Sequence, residues 1–161
     1  MRNTPEWLAF RQAYAACQAH EAALRDALGD LLQRRLTASD LENPDKGDRR
    51  LLDQFAYRYT RLRDDRGARL IPAILRLLGE EIASLPMLDR LARMEQLGWL
   101  PNAEEWSDMR RIRNEFTHGY PETPDERFER LHLALAAAQR VLNIFQILQQ
   151  KALDRFSELR S

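Results

Sequence analysis

Apolar residues recur at helical spacing along most of this chain, and this periodicity constrains its fold more than any other feature. Leucine and alanine dominate, the few prolines and glycines fall between periodic segments, and no run of β-branched residues alternates with polar ones. Long helices with short connections predict an all-α fold, an antiparallel bundle of about five helices. Because 161 residues with 44% hydrophobic content suffice for one core, we expect residues 1–161 to form a single domain.

Capping and turn residues place the boundaries of the first two helices. We expect the first helix over residues 5–36, with Thr4 as its N-cap and Pro5 in its first turn. Asparagine, proline and glycine then predict a loop over residues 37–47. A second helix is expected over residues 48–66.

The second half of the chain is divided by similar signals. Gly67 and Pro72 are expected to interrupt or kink the second helix. A short third helix is predicted over residues 84–96, closed by Gly98, and a fourth begins at residue 101 or 102. The final helix is marked by apolar residues at helical spacing, namely Phe128, Leu131, Leu135, Ala138, Leu142, Phe145 and Leu148.

Composition excludes several classes of protein. The formal net charge is zero, so we expect no coating of nucleic acid through a global positive field. All but two of the 25 basic residues are arginines, which indicates either phosphate recognition or simply biased base composition of the source genome. The longest apolar stretch, residues 70–78, is broken by Pro72 and Arg76 and is too short to cross a bilayer, so we expect no membrane association.

Cysteine and histidine content argue against disulfides, metal sites and cofactors. Cys17 is the only cysteine, so neither an internal disulfide nor a cysteine metal cluster can form. His20 and His132 lie in predicted helices without a second ligand three or four residues away, and we interpret both as structural. We therefore predict no metal and no cofactor. With no signal-peptide pattern at the N-terminus, a cytoplasmic location is expected.

One arginine breaks the hydrophobic pattern of the fourth helix. Trp106, Met109, Ile112 and Phe116 form one apolar stripe at about 100° per residue, and Arg113 falls within it. Because a buried unpaired charge is costly, Arg113 is expected to face a polar cleft, an ion pair, a second subunit or an anionic substrate.

A histidine and a tyrosine follow this arginine at the predicted end of the helix. His118 lies five residues after Arg113, which on a continuous helix would rotate it by about 140°. Gly119 and Pro121 favour a helix end, so we expect the chain to turn near His118, with a bend just after Thr117, and to bring the imidazole back towards the guanidinium. The partial negative charge of a helix C-terminus would favour imidazolium and make His118 a candidate proton donor or acceptor.

Arg113, His118 and Tyr120 spell R-x-x-x-x-H-x-Y, and Asn114 follows the arginine directly. In this motif and in the surrounding helical pattern, which covers most of the chain, the sequence resembles the HepT-like branch of the HEPN superfamily. The resemblance implies a small all-α homodimer whose two motif regions face each other across a cleft. It also implies a metal-independent ribonuclease toxin, paired with a nucleotidyltransferase antitoxin of the MNT type that transfers AMP from ATP to the motif tyrosine, here Tyr120.

The motif residues suit the chemistry that the resemblance implies. RNA cleavage without a metal needs a group that moves protons and a positive charge near the phosphorane oxygens. We expect His118 to shuttle the proton, Arg113 to stabilise the charge, and the amide of Asn114 to hold the phosphate or orient the histidine. Such a mechanism requires the 2′-hydroxyl and would therefore act on RNA and not on DNA.

Plainer interpretations of these residues stay open at the level of sequence. Arg113 could form an ion pair with Asp64 or Asp65, and in the catalytic interpretation Asp64 would be a supporting residue that holds the guanidinium. His118 could simply cap a helix end. Arg110 and Arg111 could widen a positive rim for RNA, or be solvated surface residues.

Two other functions compete with the ribonuclease. The main alternative is a non-catalytic, substrate-binding helical partner of a nucleotidyltransferase, a role that relatives in this superfamily are described as having. A weaker one is a structural adaptor. The joint presence of Arg113 and His118 favours the enzyme, because a scaffold does not need an arginine on an apolar stripe.

Overall fold

The computed structural model describes residues 4–118 and 123–160, which are almost entirely helical and contain no strand. The helices are, in chain order, α1 (Pro5–Arg34), α2 (Ala38–Glu42), α3 (Lys46–Asp65), α4 (Ile71–Leu77), α5 (Met87–Gln96), α6 (Ala103–His118) and α7 (Pro124–Arg155). A π-helical turn (Arg66–Leu70) joins α3 to α4, and a 3₁₀ turn (Ser157–Arg160) follows α7. The prediction of an all-α helical bundle is confirmed for the described residues.

Local capping chemistry explains where the helices begin and end. The Thr4 hydroxyl accepts a hydrogen bond from the Trp7 backbone N–H at 3.2 Å and starts α1, as predicted. Gly98 adopts φ 82°, a left-handed conformation that costs glycine little, and it closes α5 as predicted. The structure differs from the sequence-based boundaries at the end of α1, which stops at Arg34 because Arg35 is left-handed with φ 51°.

The predicted loop over residues 37–47 was wrong in part, because it contains α2. Thr37 and Asp40 form a reciprocal capping box, in which each side chain accepts a hydrogen bond from the other residue's backbone N–H. This box is a sequence signal for a helix start, and it supports five helical residues between α1 and α3. Asp45 then caps α3, so that helix begins at Lys46, two residues earlier than expected.

The predicted interruption after the second helix is confirmed and takes the form of a π turn. Within this turn, the backbone N–H of Ile71 bonds to the carbonyl of Arg66, five residues earlier. Pro72 has no N–H, and its ring crowds the carbonyl four residues before it, so the regular α-helical pattern cannot pass through this point. The wider π turn accommodates the ring of Pro72, and the chain continues directly into α4.

The core lies between α1, α3, α4 and the second layer formed by α6 and α7. α1 packs mainly on α3, α4 and the π turn, while α6 contacts α3, α5 and α7. Large aromatic side chains join the two ends of the chain: the ring centroid of Phe156 lies 5.2 Å from that of Phe10 and 6.0 Å from that of Trp7. These contacts hold the first turns of α1 against the end of α7.

Helix α7 is the longest helix of the described chain and is strongly apolar. By length and composition alone it could span a bilayer, but half of its most apolar window is buried against the rest of the bundle. A long core helix passes the same test, because its buried face raises the mean hydropathy.

Candidate functional site

The first part of the motif, from Arg113 to His118, forms the C-terminal end of α6. The helix includes both Thr117 and His118, so the bend expected just after Thr117 does not occur there. The side chains of Arg113 and His118, and all of Tyr120, lie outside the described residues. The predicted convergence of the imidazole and the guanidinium therefore stays a prediction, and the described site consists of the residues that hold α6 in place.

A buried tyrosine fixes the helical turn that precedes Arg113. The hydroxyl of Tyr59 on α3 donates a hydrogen bond to the backbone carbonyl of Met109 at 3.1 Å, and both residues are buried. In an α-helix the carbonyl of residue 109 also accepts the backbone N–H of residue 113. The Tyr59 hydroxyl therefore contacts the same peptide group that holds the backbone of Arg113 in the helix.

Trp106, one turn earlier on α6, packs against two arginines from the end of α3. The indole is 3% exposed, and the guanidinium carbon of Arg66 lies 4.1 Å from its ring centroid. The guanidinium carbon of Arg63 lies 5.6 Å from the same ring. Desolvated cations over an indole attract its electron-rich face, so these contacts tie α6 to α3.

Arg66 is the most unusual residue of this region, because its charged side chain has no exposed surface. Its Nη1 donates to the backbone carbonyl of Val141 on α7 at 2.8 Å, but Nε and Nη2 have no acceptor among the described residues. Burial, together with the neighbouring Arg63 cation, lowers the pKa of Arg66 to about 9. The guanidinium is thus a desolvated charge that contacts both α6 and α7 from the end of α3.

Carboxylates near the end of α3 are divided between two sides of the bundle. Asp64 is partly exposed, and its Oδ1 accepts from Nη1 of Arg63 at 3.2 Å. Asp65 instead faces α1, where its Oδ2 lies 2.8 Å from Nε2 of His20 and 3.5 Å from Nη2 of Arg61. Asp65 is therefore engaged on the α1 side, and the supporting role predicted for Asp64 beside Arg113 stays a prediction.

The predicted rim residues are at the surface of α6. Asn114, Arg110 and Arg111 are all exposed. Nη1 of Arg111 lies 3.2 Å from Oε1 of Glu115, one turn further along the helix. Exposed pairs of this kind are weak, so Arg111 remains able to exchange its carboxylate partner for a phosphate.

An ion pair joins α6 to α7. Arg140 on α7 binds Glu105 through two contacts, of which Nη2 to Oε2 measures 3.2 Å. The pair raises the pKa of Arg140, chiefly through the hydrogen bonds of the carboxylate. The first half of α6 is therefore fixed to both α3 and α7 and forms a base for the motif segment that follows it.

Sequence reasoning missed the residues that form this base. Arg63 and Arg66 were not singled out, because arginines at a helix end are normally solvated. Of the aromatic residues at helical spacing on α3, Phe55 and Tyr59 are buried, but Tyr57 is 55% exposed. At 100° per residue, position 57 lies far around the helix from position 55, and this spacing could have separated the two.

Within residues 4–118 and 123–160, no group of three or more histidine, cysteine, aspartate or glutamate side chains is arranged to hold a metal ion. No protein-family model matches the chain, and neither a curated protein nor a solved structure does.

Proposed function

We propose that this protein is a metal-independent endoribonuclease of the HEPN class, acting as a homodimer and as the toxin of a toxin–antitoxin pair. The observation that carries the proposal is the sequence motif of Arg113, Asn114, His118 and Tyr120, of which the first three belong to the last turns of α6. The anchoring of the preceding turns by Tyr59 and by the arginines around Trp106 supports it, because catalytic groups need precise placement.

The proposed reaction is an internal transfer at phosphorus. The ribose 2′-oxygen attacks the adjacent phosphorus while its proton passes to a neutral imidazole, and the bond to the 5′-oxygen breaks as that oxygen receives a proton from an imidazolium. The products are a 2′,3′-cyclic phosphate and a 5′-hydroxyl end. One chain supplies a single motif histidine, so two copies of His118 from two protomers would provide both the base and the acid. Arg113 would stabilise the charge on the phosphorane.

Inhibition would act on the motif tyrosine. The Tyr120 hydroxyl oxygen would attack the α-phosphorus of ATP bound to an MNT-type nucleotidyltransferase, with loss of a proton and release of pyrophosphate. The attached AMP adds bulk and negative charge beside the proposed cleft, which repels RNA and offers Arg113 a competing phosphate. The antitoxin would thus switch the nuclease off by a covalent change at its entrance.

Expression of single variants tests this function. Cells induced for the wild-type chain are expected to stop growing and to show fragmented RNA, whereas His118→Ala and Arg113→Ala proteins are expected to be harmless. His132→Ala is the matched control, because His132 is exposed on α7 and contacts the edge of Phe128. It should remain as toxic as the wild type. Equal effects of wild-type and His118→Ala proteins on growth and RNA would refute the nuclease and favour a non-catalytic partner of a nucleotidyltransferase.

A further inference from the structure

The outward face of α3 carries an excess of positive charge, although the whole chain is neutral. Among residues 46–61, five cationic side chains are exposed or half-exposed, namely Lys46, Arg49, Arg50, Arg58 and Arg61. A single exposed carboxylate, Asp53, accompanies them. The other acid of the segment, Asp48, is buried and accepts from Nε of Arg34 on α1 at 2.8 Å. Five positive charges against one negative leave an excess of four on the surface of this segment.

An aromatic ring lies in the middle of this basic surface. Tyr57 is 55% exposed, and the guanidinium carbon of Arg58 lies 5.2 Å from its ring centroid. Arg50 and Arg61 lie within about 40° of Tyr57 around the helix axis. From Arg50 to Arg61 the surface extends about 17 Å along the helix. We call Arg50, Tyr57, Arg58 and Arg61 the tyrosine–arginine stripe.

The two outer arginines of the tyrosine–arginine stripe are available to a ligand. Arg50 forms no ion pair within the described part of the chain. Nη2 of Arg61 lies 3.5 Å from Oδ2 of Asp65, but that carboxylate is already held by His20 at 2.8 Å. Ion pairs of exposed side chains contribute little to stability. Arg61 can therefore bind a phosphate without leaving Asp65 unpaired.

The chemistry of the tyrosine–arginine stripe selects among anionic partners. A single strand of nucleic acid offers flat bases that stack on an exposed ring and phosphates that arginines bind. A duplex keeps its bases stacked inside, and an acidic peptide offers carboxylates without a base, so both would leave the ring of Tyr57 unused. A membrane surface would need apolar side chains that insert, and Tyr57 is the one large hydrophobic residue exposed on α3.

We propose that the tyrosine–arginine stripe binds a single strand of RNA, with a base stacked on Tyr57 and phosphates bound by Arg50 and Arg61. Tyr57 lies about 160° around α3 from Tyr59. Because Tyr59 faces α6, the surface is separate from the motif. The identity of the strand as RNA rests on the proposed function, whereas the stacking and the phosphate contacts do not. Such a surface holds a strand without reading its sequence, since every base has a face that stacks.

A single-stranded 2′-O-methyl oligouridylate, titrated with the full-length protein at several salt concentrations, measures this binding by fluorescence anisotropy. Its methylated 2′-oxygen cannot attack phosphorus, so the probe stays intact under the proposed reaction. Tyr57→Ala is expected to weaken binding about 10-fold and to leave the salt dependence unchanged, because it removes stacking and no charge. Tyr57→Phe keeps a ring and should bind as the wild type does. A misfolded variant would lose affinity and salt dependence together, which distinguishes misfolding from lost stacking.

The arginine variants are expected to change the salt dependence instead. For a single strand, each lost phosphate contact lowers the slope of log Kd against log salt concentration by about 0.7. Arg50→Gln should therefore lower the slope by about 0.7, and Arg50→Gln combined with Arg61→Gln by about 1.4. Arg11→Gln is the matched control with the same change of charge. Arg11 is exposed and precedes His20, which contacts the last residue of the antiparallel α3, so it lies beyond the tyrosine–arginine stripe and should leave the slope unchanged.

Weaker binding by Tyr57→Ala and lower slopes for the arginine variants support the proposal. Unchanged affinity and slope in these variants, or a wild type that does not bind the probe, would overturn it. A 2′-O-methyl RNA duplex of equal length that binds as tightly as the single strand would overturn it in favour of simple charge attraction. The proposed function has a separate readout. Cleavage of native RNA with no effect of the variants on probe binding would refute only this surface, and probe binding without cleavage would refute only the nuclease.

Discussion

Replacing Arg66 by methionine is expected to make the protein more stable, although it removes a hydrogen bond and a cation–π contact. The wild-type guanidinium has no exposed surface, and two of its nitrogen atoms lack acceptors among the described residues. Each buried unpaired donor costs about 1–3 kcal/mol, and desolvation of the charge adds several kcal/mol. Methionine has a similar length, no charge and no donor, so it removes these penalties.

In the wild type, the favourable interactions of Arg66 offset only part of that cost, and the methionine variant loses them. Its hydrogen bond to the carbonyl of Val141 contributes about 1.5–3 kcal/mol, as a bond from a charged donor. Its position over Trp106 contributes about 2 kcal/mol. The Val141 carbonyl lies inside α7 and keeps its helical partner when the arginine is removed. We therefore expect Arg66→Met to raise the free energy of unfolding by about 1–3 kcal/mol.

Urea denaturation followed by circular dichroism measures this change, with Arg76→Met as the control. Arg76 is an exposed arginine on α4, so its replacement should shift stability by no more than about 0.5 kcal/mol. For a chain of this size, 1–3 kcal/mol corresponds to a rise in Tm of about 2–12 °C. A loss of about 1 kcal/mol or more in Arg66→Met would refute the reasoning, since the buried charge would then be a net source of stability.

The pH dependence of the same pair of proteins provides a second test. Burial lowers the pKa of Arg66 to about 9 in the folded state, below the value of an unfolded arginine. Between these two pKa values the unfolded chain binds more protons, so this group makes the wild type more stable as the pH rises through that window. The methionine variant lacks this pH-dependent contribution to the free energy of unfolding. The stability advantage of Arg66→Met should therefore be largest near neutral pH and shrink above pH 9.

Three further changes test local features. Tyr59→Phe should lower the free energy of unfolding by about 1 kcal/mol, because it removes a buried hydrogen bond. Tyr57→Phe, at an exposed site, should leave it unchanged. Equal stabilities of the two variants would contradict the hydrogen bond assigned to Tyr59. Cys17 is buried and its pKa is raised to about 12, so a thiol reagent at pH 8 should label it only in urea, and rapid labelling of folded protein would disprove that burial. Thr123→Ala should cost about 1 kcal/mol in thermal unfolding, because the hydroxyl caps α7 by accepting from Glu126, and Thr123→Ser should restore most of it.

The helical framework could be predicted from sequence because local signals determine it. Periodic apolar residues, the cap at Thr4, the left-handed Gly98 and the ring of Pro72 each act within a few residues. The short helix α2 was missed although its capping box is also local. A segment of five residues is too short for periodicity to show.

In the candidate site, too, some features follow from neighbouring residues and others depend on residues far apart in the sequence. The motif is read directly from adjacent residues, and its position at the end of α6 follows from the glycine and proline after it. The buried base beneath it depends on contacts across 50 and 75 positions, namely Tyr59 with Met109 and Arg66 with Val141. Helix propensity and the spacing of apolar residues give no information on such distant pairs. A buried arginine at a helix end therefore cannot be distinguished from a solvated one by sequence alone.

The central claim, RNA cleavage by the motif of α6, is tested most directly by one substitution in the substrate. An RNA that the purified protein cuts is mapped, and the nucleotide on the 5′ side of the cut is then replaced by its 2′-deoxy form. We predict that cleavage at this bond disappears while cleavage elsewhere persists, because the 2′-oxygen is the nucleophile. Undiminished cleavage at the deoxy position would contradict the mechanism and the roles given to Arg113 and His118.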